Sequence, residues 1–185
     1  MEYRFYTTIS SPFDTFTIVW KETCSALRIQ RIFLSDPELK SEVKALESIK
    51  RIKIGSSSAI TLLGEKIQQF LNGKNIEFDV GLLDFNRCHE IQKRVLLAES
   101  KIPRGWVSTY KRIANKIGIP KGARVVGNTL AKNPFPIIIP CHRAIKTNGD
   151  LGGFQGGIKM KRRLLELEGI EFSDKGKVIT DRIYY

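Results

Sequence analysis

Cys141, His142 and Arg143 follow one another at the end of an apolar run, Ile137-Ile138-Ile139-Pro140, and so bring a nucleophile, a base and a fixed cation into one short stretch. A thiol with a reference pKa of about 8.5 is mostly protonated at neutral pH, so nucleophilic chemistry needs a base or a positive local field. His142 is a candidate for the first and Arg143 for the second. Sequence neighbours rarely face each other, so His142 would reach the sulfur through a water or a turn, and another group must fix its ring. The apolar triplet suits a buried extended segment stiffened by Pro134, Pro136 and Pro140, after which the chain turns and displays the thiol. The opposing reading is a small buried hydrophobe, the usual fate of a free cysteine.

The elements that must position these residues can be read from pattern. Residues 3–8 and 15–20 are rich in aromatic and β-branched types and flank a Ser-Ser-Pro-Phe-Asp turn, and 27–34 reads as a third strand. Ser35-Asp36-Pro37 opens a helix through about Ile49, and 50–54 alternates as a short strand. Ser58 caps a helix with Ile60, Leu63, Ile67, Phe70 and Leu71 on one face, closed by Asn72-Gly73; Ile76, Phe78 and Val80 then alternate as a strand. Residues 1–86 therefore form an α/β domain, and 87–185 a mainly α-helical one. In the second, Ile91, Val95, Leu96 and Ala98 mark a helix ended at 102–105. Ser108 is placed to cap a helix over 109–117, and Gly118-Ile119-Pro120 leads to another over 122–131. Two short helices joined by a glycine-containing turn fit a helix-turn-helix or an ordinary helical hairpin. The last helix covers 158–168, with Lys159, Lys161, Arg162 and Arg163 read as exposed, and 172–185 is a strand or a loose tail.

Charge separates the halves. Residues 1–87 carry a net +1 and 88–185 a net +11, and between 101 and 163 fourteen basic residues meet one acid, Asp150. A lysine-rich solvated surface would account for the bases but not for the missing acids. A polyanion is the natural partner, with nucleic acid ahead of an anionic membrane surface. The helix over 122–131 has Arg124 followed by small or β-branched residues, which suits close approach to a duplex with little base-edge readout. Gly149, Gly152, Gly153, Gly156 and Gly157 crowd nine positions around Phe154 and Gln155, as a backbone bending around a flat ligand would require. Three cysteines without a framework, and no secretory or membrane-spanning pattern, suggest a reducing, cytoplasmic setting. Cys24, Cys88 and His89 make a poor zinc set, lacking a closely spaced pair and a fourth ligand.

Pro140-Cys141-His142-Arg143, the loop ending in Gly156-Gly157 and the Leu164-Leu165-Glu166-Leu167-Glu168-Gly169 helix end together resemble the O6-alkylguanine-DNA alkyltransferases, or methylated-DNA-protein-cysteine methyltransferases. Gly105-Trp106-Val107-Ser108-Thr109-Tyr110 and Ala131-Lys132-Asn133-Pro134 keep the same spacing, so the resemblance spans about 102–169. It implies a ribonuclease-H-like first domain and a winged helix-turn-helix-like motif in the second. It also implies a monomer on double-stranded DNA, with cooperative loading left open, and no metal or organic cofactor. Cys141 would take the alkyl group from guanine O6, with thymine O4 a further candidate, and keep it as a thioether. His142, held by Glu168, would accept the thiol proton through a water, and Asn133 would brace the turn. Tyr110, Ala123, Arg124, Gly127, Ala144, Phe154 and Gln155 would contact the DNA and the flipped base, Arg124 filling the vacated stack. Ala144, Phe154 and Leu167 replace the family's common valine, tyrosine and histidine. Cys141 itself separates the chain from alkyltransferase-like damage sensors, which carry tryptophan there. Two rivals remain at this point: a DNA-binding sensor or regulator with a structural Cys141, and a multiple-turnover cysteine hydrolase.

Overall fold

The computed structural model describes residues 4–23 and 26–185; Tyr3 and Cys24 lie outside them. The chain divides into two compact units, one running to Asp84 and including Pro134–Ile138, the other comprising Phe85–Asn133 and Ile139–Tyr185.

The first unit is a mixed four-stranded sheet. Strands β1 (Arg4–Ser11), β2 (Asp14–Thr23) and β3 (Ala26–Leu34) pair antiparallel, and β4 (Ile52–Ile54) joins β1 in parallel, giving the order β3-β2-β1-β4. Alternate residues face opposite sides, so both faces need cover. Helix α1 (Ser41–Ser48) covers Tyr6, Val19 and Phe33 through Ala45. Helix α2 (Ser58–Leu71) covers the other face, where Gly64 lies so close to Ile9 that a Cβ would collide with it. Pro134–Ile138 returns to this unit: the Pro134 carbonyl accepts from Ile32 N–H at 2.8 Å, and Phe135 and Ile137 are buried.

The structure departs from three local expectations. The first helix starts at Ser41 because the Asp36 carboxylate accepts the amides of Glu38 and Leu39, each at 2.9 Å, and holds them in a turn. Residues 74–79 have no regular structure despite their alternation, and Val80–Leu82 is a 3-10 turn capped by the Asp79 carboxylate on Gly81 N–H. The triplet 137–139 is not extended: Ile137 has φ 75° within a turn, held by burial of its side chain rather than by intrinsic preference.

The second unit is mainly helical: α3 (Glu90–Glu99), α4 (Tyr110–Lys116), α5 (Ala123–Ala131) and α6 (Gly157–Leu167). Among the described residues no helix is long and apolar enough to cross a membrane. Strands β5 (Ser108–Thr109) and β6 (Ala144–Ile145) pair in parallel, and the chain near Ile183 lies along the other edge of Val107. This small sheet joins the start of α4 to the segment just after Cys141. Its core is Val107, Ile145, Leu151, Leu165 and Ile170. Residues beyond 170 are no loose tail, since β7 (Glu171–Phe172) and β8 (Val178–Ile179) form a hairpin and the Tyr185 hydroxyl donates to Ala98 O at 2.8 Å.

Thr109, not Ser108, caps α4, its hydroxyl accepting from Arg112 N–H at 3.2 Å; the Ser108 hydroxyl donates to Tyr184 O instead. Thr109→Ala should cost about 1 kcal/mol and lower Tm by about 2–4 °C, measured by thermal denaturation; an unchanged Tm would show that the cap contributes nothing.

Candidate active site

Cys141–Arg143 forms a single 3-10 turn, tightened by Arg143 N–H donating to Pro140 O at 2.8 Å, and all three side chains are buried. The turn is braced from behind by Asn133, whose amide donates to Ile139 O at 3.1 Å. Cys141 is a free thiol, 4% exposed. Burial pushes it up to about 12, a hydrogen bond from Asn133 pulling the other way. The local positive field expected from Arg143 therefore does not produce a resting thiolate. Desolvation wins, and Cys141 waits as a neutral thiol.

Arg143 is occupied elsewhere. Its Nε and Nη2 donate to the two oxygens of Glu168 at 2.9 and 2.7 Å, and Nη1 donates to Ile102 O at 2.6 Å. Glu168 Oε1 also meets His142 Nε2 at 2.9 Å, and Gly105 N–H approaches Oε2 at 3.4 Å. Burial alone would raise the Glu168 carboxyl, but His142 and Arg143 outweigh it and hold it well below the usual carboxylate range. His142, 0% exposed, is pushed by burial below its ordinary value although Glu168 pulls it up. A neutral imidazole facing a carboxylate must carry its proton on Nε2, which leaves a lone pair on Nδ1. Gly105 has φ 75°, and a Cβ there would lie 3.2 Å from the main-chain carbonyl oxygen of Glu168, so the position suits glycine.

The structure thus gathers Cys141, His142, Glu168 and Asn133. Phe154 stands edge-on to His142, ring centroids 6.3 Å apart. Tyr110, raised to about 12 mainly by burial, is linked to the glycine loop: its hydroxyl lies 3.5 Å from Leu151 O, and a Cβ on Gly152 would fall 2.4 Å from that hydroxyl oxygen. Gly152 also has φ 71°. Gln155 is half-buried in the same loop. Ala123, Arg124 and Gly127 lie on α5, with Arg124 exposed. Ala144 is fully buried in β6, and its carbonyl accepts from the Lys161 ammonium.

Two residues were missed by pattern reading. Lys161, read as exposed, is 0% exposed: its ammonium donates to Ala144 O at 2.6 Å and Gly153 O at 3.4 Å, tying the segment after Cys141 to the glycine loop. Glu99 at the end of α3 is also 0% exposed. The available signal was position, since Lys161 shares a helical stripe with Met160, Leu164 and Leu165, and Glu99 one with Val95 and Leu96. Among the described residues no cluster of three His, Cys, Asp or Glu side chains could hold a metal ion; the Cys24 member of the zinc set lies outside them.

Removing Arg143 would leave Glu168 buried without its main cation, so Arg143→Ala should cost about 3–5 kcal/mol in urea denaturation. Glu168 has a folded value below its unfolded value of 4.5, so its contribution is present above about pH 4.5 and is lost as pH falls through the folded value. Glu168→Gln should flatten the acid limb of stability against pH; a limb of unchanged steepness would show that this carboxylate does not govern it.

The model for the 6-O-methylguanine DNA methyltransferase DNA-binding domain matches residues 90–170. The methylated-DNA-protein-cysteine methyltransferase of Methanothermobacter thermautotrophicus is 46% identical over 127 residues, which is 68% of this chain and 71% of that protein. The O6-methylguanine methyltransferase of Mycobacterium tuberculosis superposes with a TM-score of 0.68 at 34% identity, over 91% of this chain and 93% of that one. The OGT of the same organism in complex with DNA gives 0.67 at 33% identity, over 89% and 92%. A chain this similar along most of its length, with a buried thiol beside an imidazole oriented by a carboxylate, belongs to the methylated-DNA-protein-cysteine methyltransferase family.

Proposed function

We propose that this protein repairs DNA by moving an alkyl group from guanine O6 to Cys141 in a single, irreversible turnover. The observation that carries the reading is the free Cys141 thiol in the same turn as a neutral imidazole whose Nε2 proton is held by Glu168. In the step, an electron pair on Sγ forms the S–C bond as the C–O6 bond breaks. The thiol proton passes through a water toward Nδ1 of His142; the released purine anion takes up a proton from solvent to become guanine and His142 returns its own to solvent, so no net proton is gained or lost. The neutral state of Cys141 favours coupling proton loss to displacement. A thioether offers no leaving group for water or thiol, so each molecule acts once.

The remaining roles belong to the same reading. Asn133 braces the turn, and Tyr110, Phe154, Gln155 and the Ala144 backbone shape the base pocket. Helices α4 and α5 act as a winged helix-turn-helix-like motif, with Ala123 and Gly127 allowing close approach and Arg124 replacing the extruded base in the stack. The first unit serves as the ribonuclease-H-like domain. A reduced, cytoplasmic setting fits a protein that must keep Cys141 as a thiol.

Incubation with an oligonucleotide containing one O6-methylguanine should add one methyl to the intact mass, located on Cys141 by peptide mapping, with restored guanine equal to protein consumed. Binding without a mass change would support a damage sensor, and many turnovers per protein a hydrolase. Cys141→Ser should abolish transfer while retaining DNA binding. Arg124→Ala should slow transfer from duplex DNA more than from a free O6-alkylguanine base, and equal slowing would remove it from the extrusion step. Binding should weaken with salt at a log-log slope of about −0.9 per phosphate neutralised.

A further inference from the structure

Residues 171–185 lie beyond the stretch that the family model matches, and no step of the displacement uses them. The β7 and β8 hairpin carries the chain back to β5, where the segment around Ile183 runs parallel to Val107, on the edge away from β6. Val107 N–H donates to Arg182 O at 3.1 Å, Tyr184 N–H donates to Val107 O at 2.8 Å, and the Ser108 hydroxyl donates to Tyr184 O at 2.8 Å. Ile183 packs against the core of Val107, Ile145, Leu151, Leu165 and Ile170. Tyr185 then reaches two helices. Its main-chain oxygen accepts from the Arg112 guanidinium, the Lys116 ammonium stands 5.0 Å from its ring centroid, and its hydroxyl donates to Ala98 O of α3 at 2.8 Å. The Tyr184 and Tyr185 rings lie 4.5 Å apart, and Trp106 meets Tyr184 edge-on at 6.4 Å.

We propose that residues 182–185 are a splint that fixes the junction of β5 and α4 and so aims the Tyr110 side chain, making Tyr185 a positioning residue for alkyl transfer. The inference rests on the alkyl-transfer reading and extends it to a segment outside the displacement itself. The splint grips the chain on both sides of Tyr110: Val107 and Ser108 stand just before it, Arg112 and Lys116 just after it on α4. Tyr110 needs this, because its own hydroxyl contact, to Leu151 O, is long at 3.5 Å, and its direction is set by the backbone that carries it. A strand added for stability alone would need only its ladder bonds. Here side chains from α4 and a carbonyl of α3 hold the end of the strand as well, which ties both helices to the junction. A ring that must meet a base with its reacting bond aligned gains from such fixing, since small displacements cost much of the rate.

The splint can be tested without transfer. In unmodified protein carrying 13C-labelled tyrosine, Tyr185→Ala should move the Tyr110 ring signals in the NMR spectrum. Tyr185→Phe keeps the ring against Lys116 and Tyr184 and should leave them near their wild-type positions. Unmoved Tyr110 signals in Tyr185→Ala overturn the proposal. Single-turnover methyl transfer from duplex DNA is then measured at a temperature where circular dichroism shows each variant folded. Tyr185→Ala should lower the rate at saturating DNA about tenfold, with duplex affinity unchanged and most of the rate restored in Tyr185→Phe. A saturating rate equal to wild type overturns the proposal, and a loss confined to affinity does so too, making the segment a DNA contact. Should Tyr185→Ala not fold, Ser108→Ala removes one bond to Tyr184 and is read by the same signals and the same rate. Wild-type protein that leaves Cys141 unmodified overturns the transfer reading and this one with it, whereas transfer at an unchanged rate in the variants overturns the splint alone.

Discussion

Glu168 is buried and yet ionised, and most of the second unit is arranged so that it can remain so. A carboxylate taken out of water needs cations and donors on both oxygens. Arg143 supplies two parallel donors, His142 a third and the Gly105 amide a fourth, at 2.9, 2.7, 2.9 and 3.4 Å. These contacts bind the end of α6 to the active turn and to the segment leading into β5. The guanidinium beside the nucleophile is therefore structural in its first effect. Chemistry benefits indirectly, because a fixed carboxylate fixes the imidazole tautomer.

The same burial that makes Glu168 demanding makes Cys141 a poor nucleophile at rest. An exposed low-pKa thiolate would react readily with oxidants and alkylating agents, whereas burial at 4% exposure and a raised pKa shield this thiol from them. Its activation must come from groups already in place when the substrate arrives. This suits a protein in which every nucleophile is spent once, since accidental modification would waste the whole molecule.

What could be read from the sequence follows what side-chain periodicity encodes. The three antiparallel strands, α2 and the helices around 91–131 were legible because apolar residues recur at the spacing of the element. Periodicity failed where a side chain captured backbone amides, as Asp36 does before α1, and where tertiary burial imposed a turn, as at Ile137. It failed differently at Lys161 and Glu99. Both sit on apolar stripes; Lys161 is buried with its ammonium taken by two main-chain carbonyls, whereas Glu99 is buried with no hydrogen-bond partner among the described residues. Cys141, His142 and Glu168 were legible as a set through family spacing, while the Arg143 clamp needed coordinates.

The bracing of the nucleophile has a physical economy of its own. The five residues before Ile139 pack with the first unit, and Ile137 adopts a left-handed conformation that a β-branched residue resists. Such a lead-in would be a poor support for a side chain that must be held within a fraction of an ångström. Asn133 removes that dependence by reaching past the excursion to the Ile139 carbonyl, while the Cys141 amide donates to the same carbonyl at 2.8 Å. The turn that carries the thiol is thus fixed from within its own unit, by Asn133 on one side and by Arg143 and Lys161 on the other.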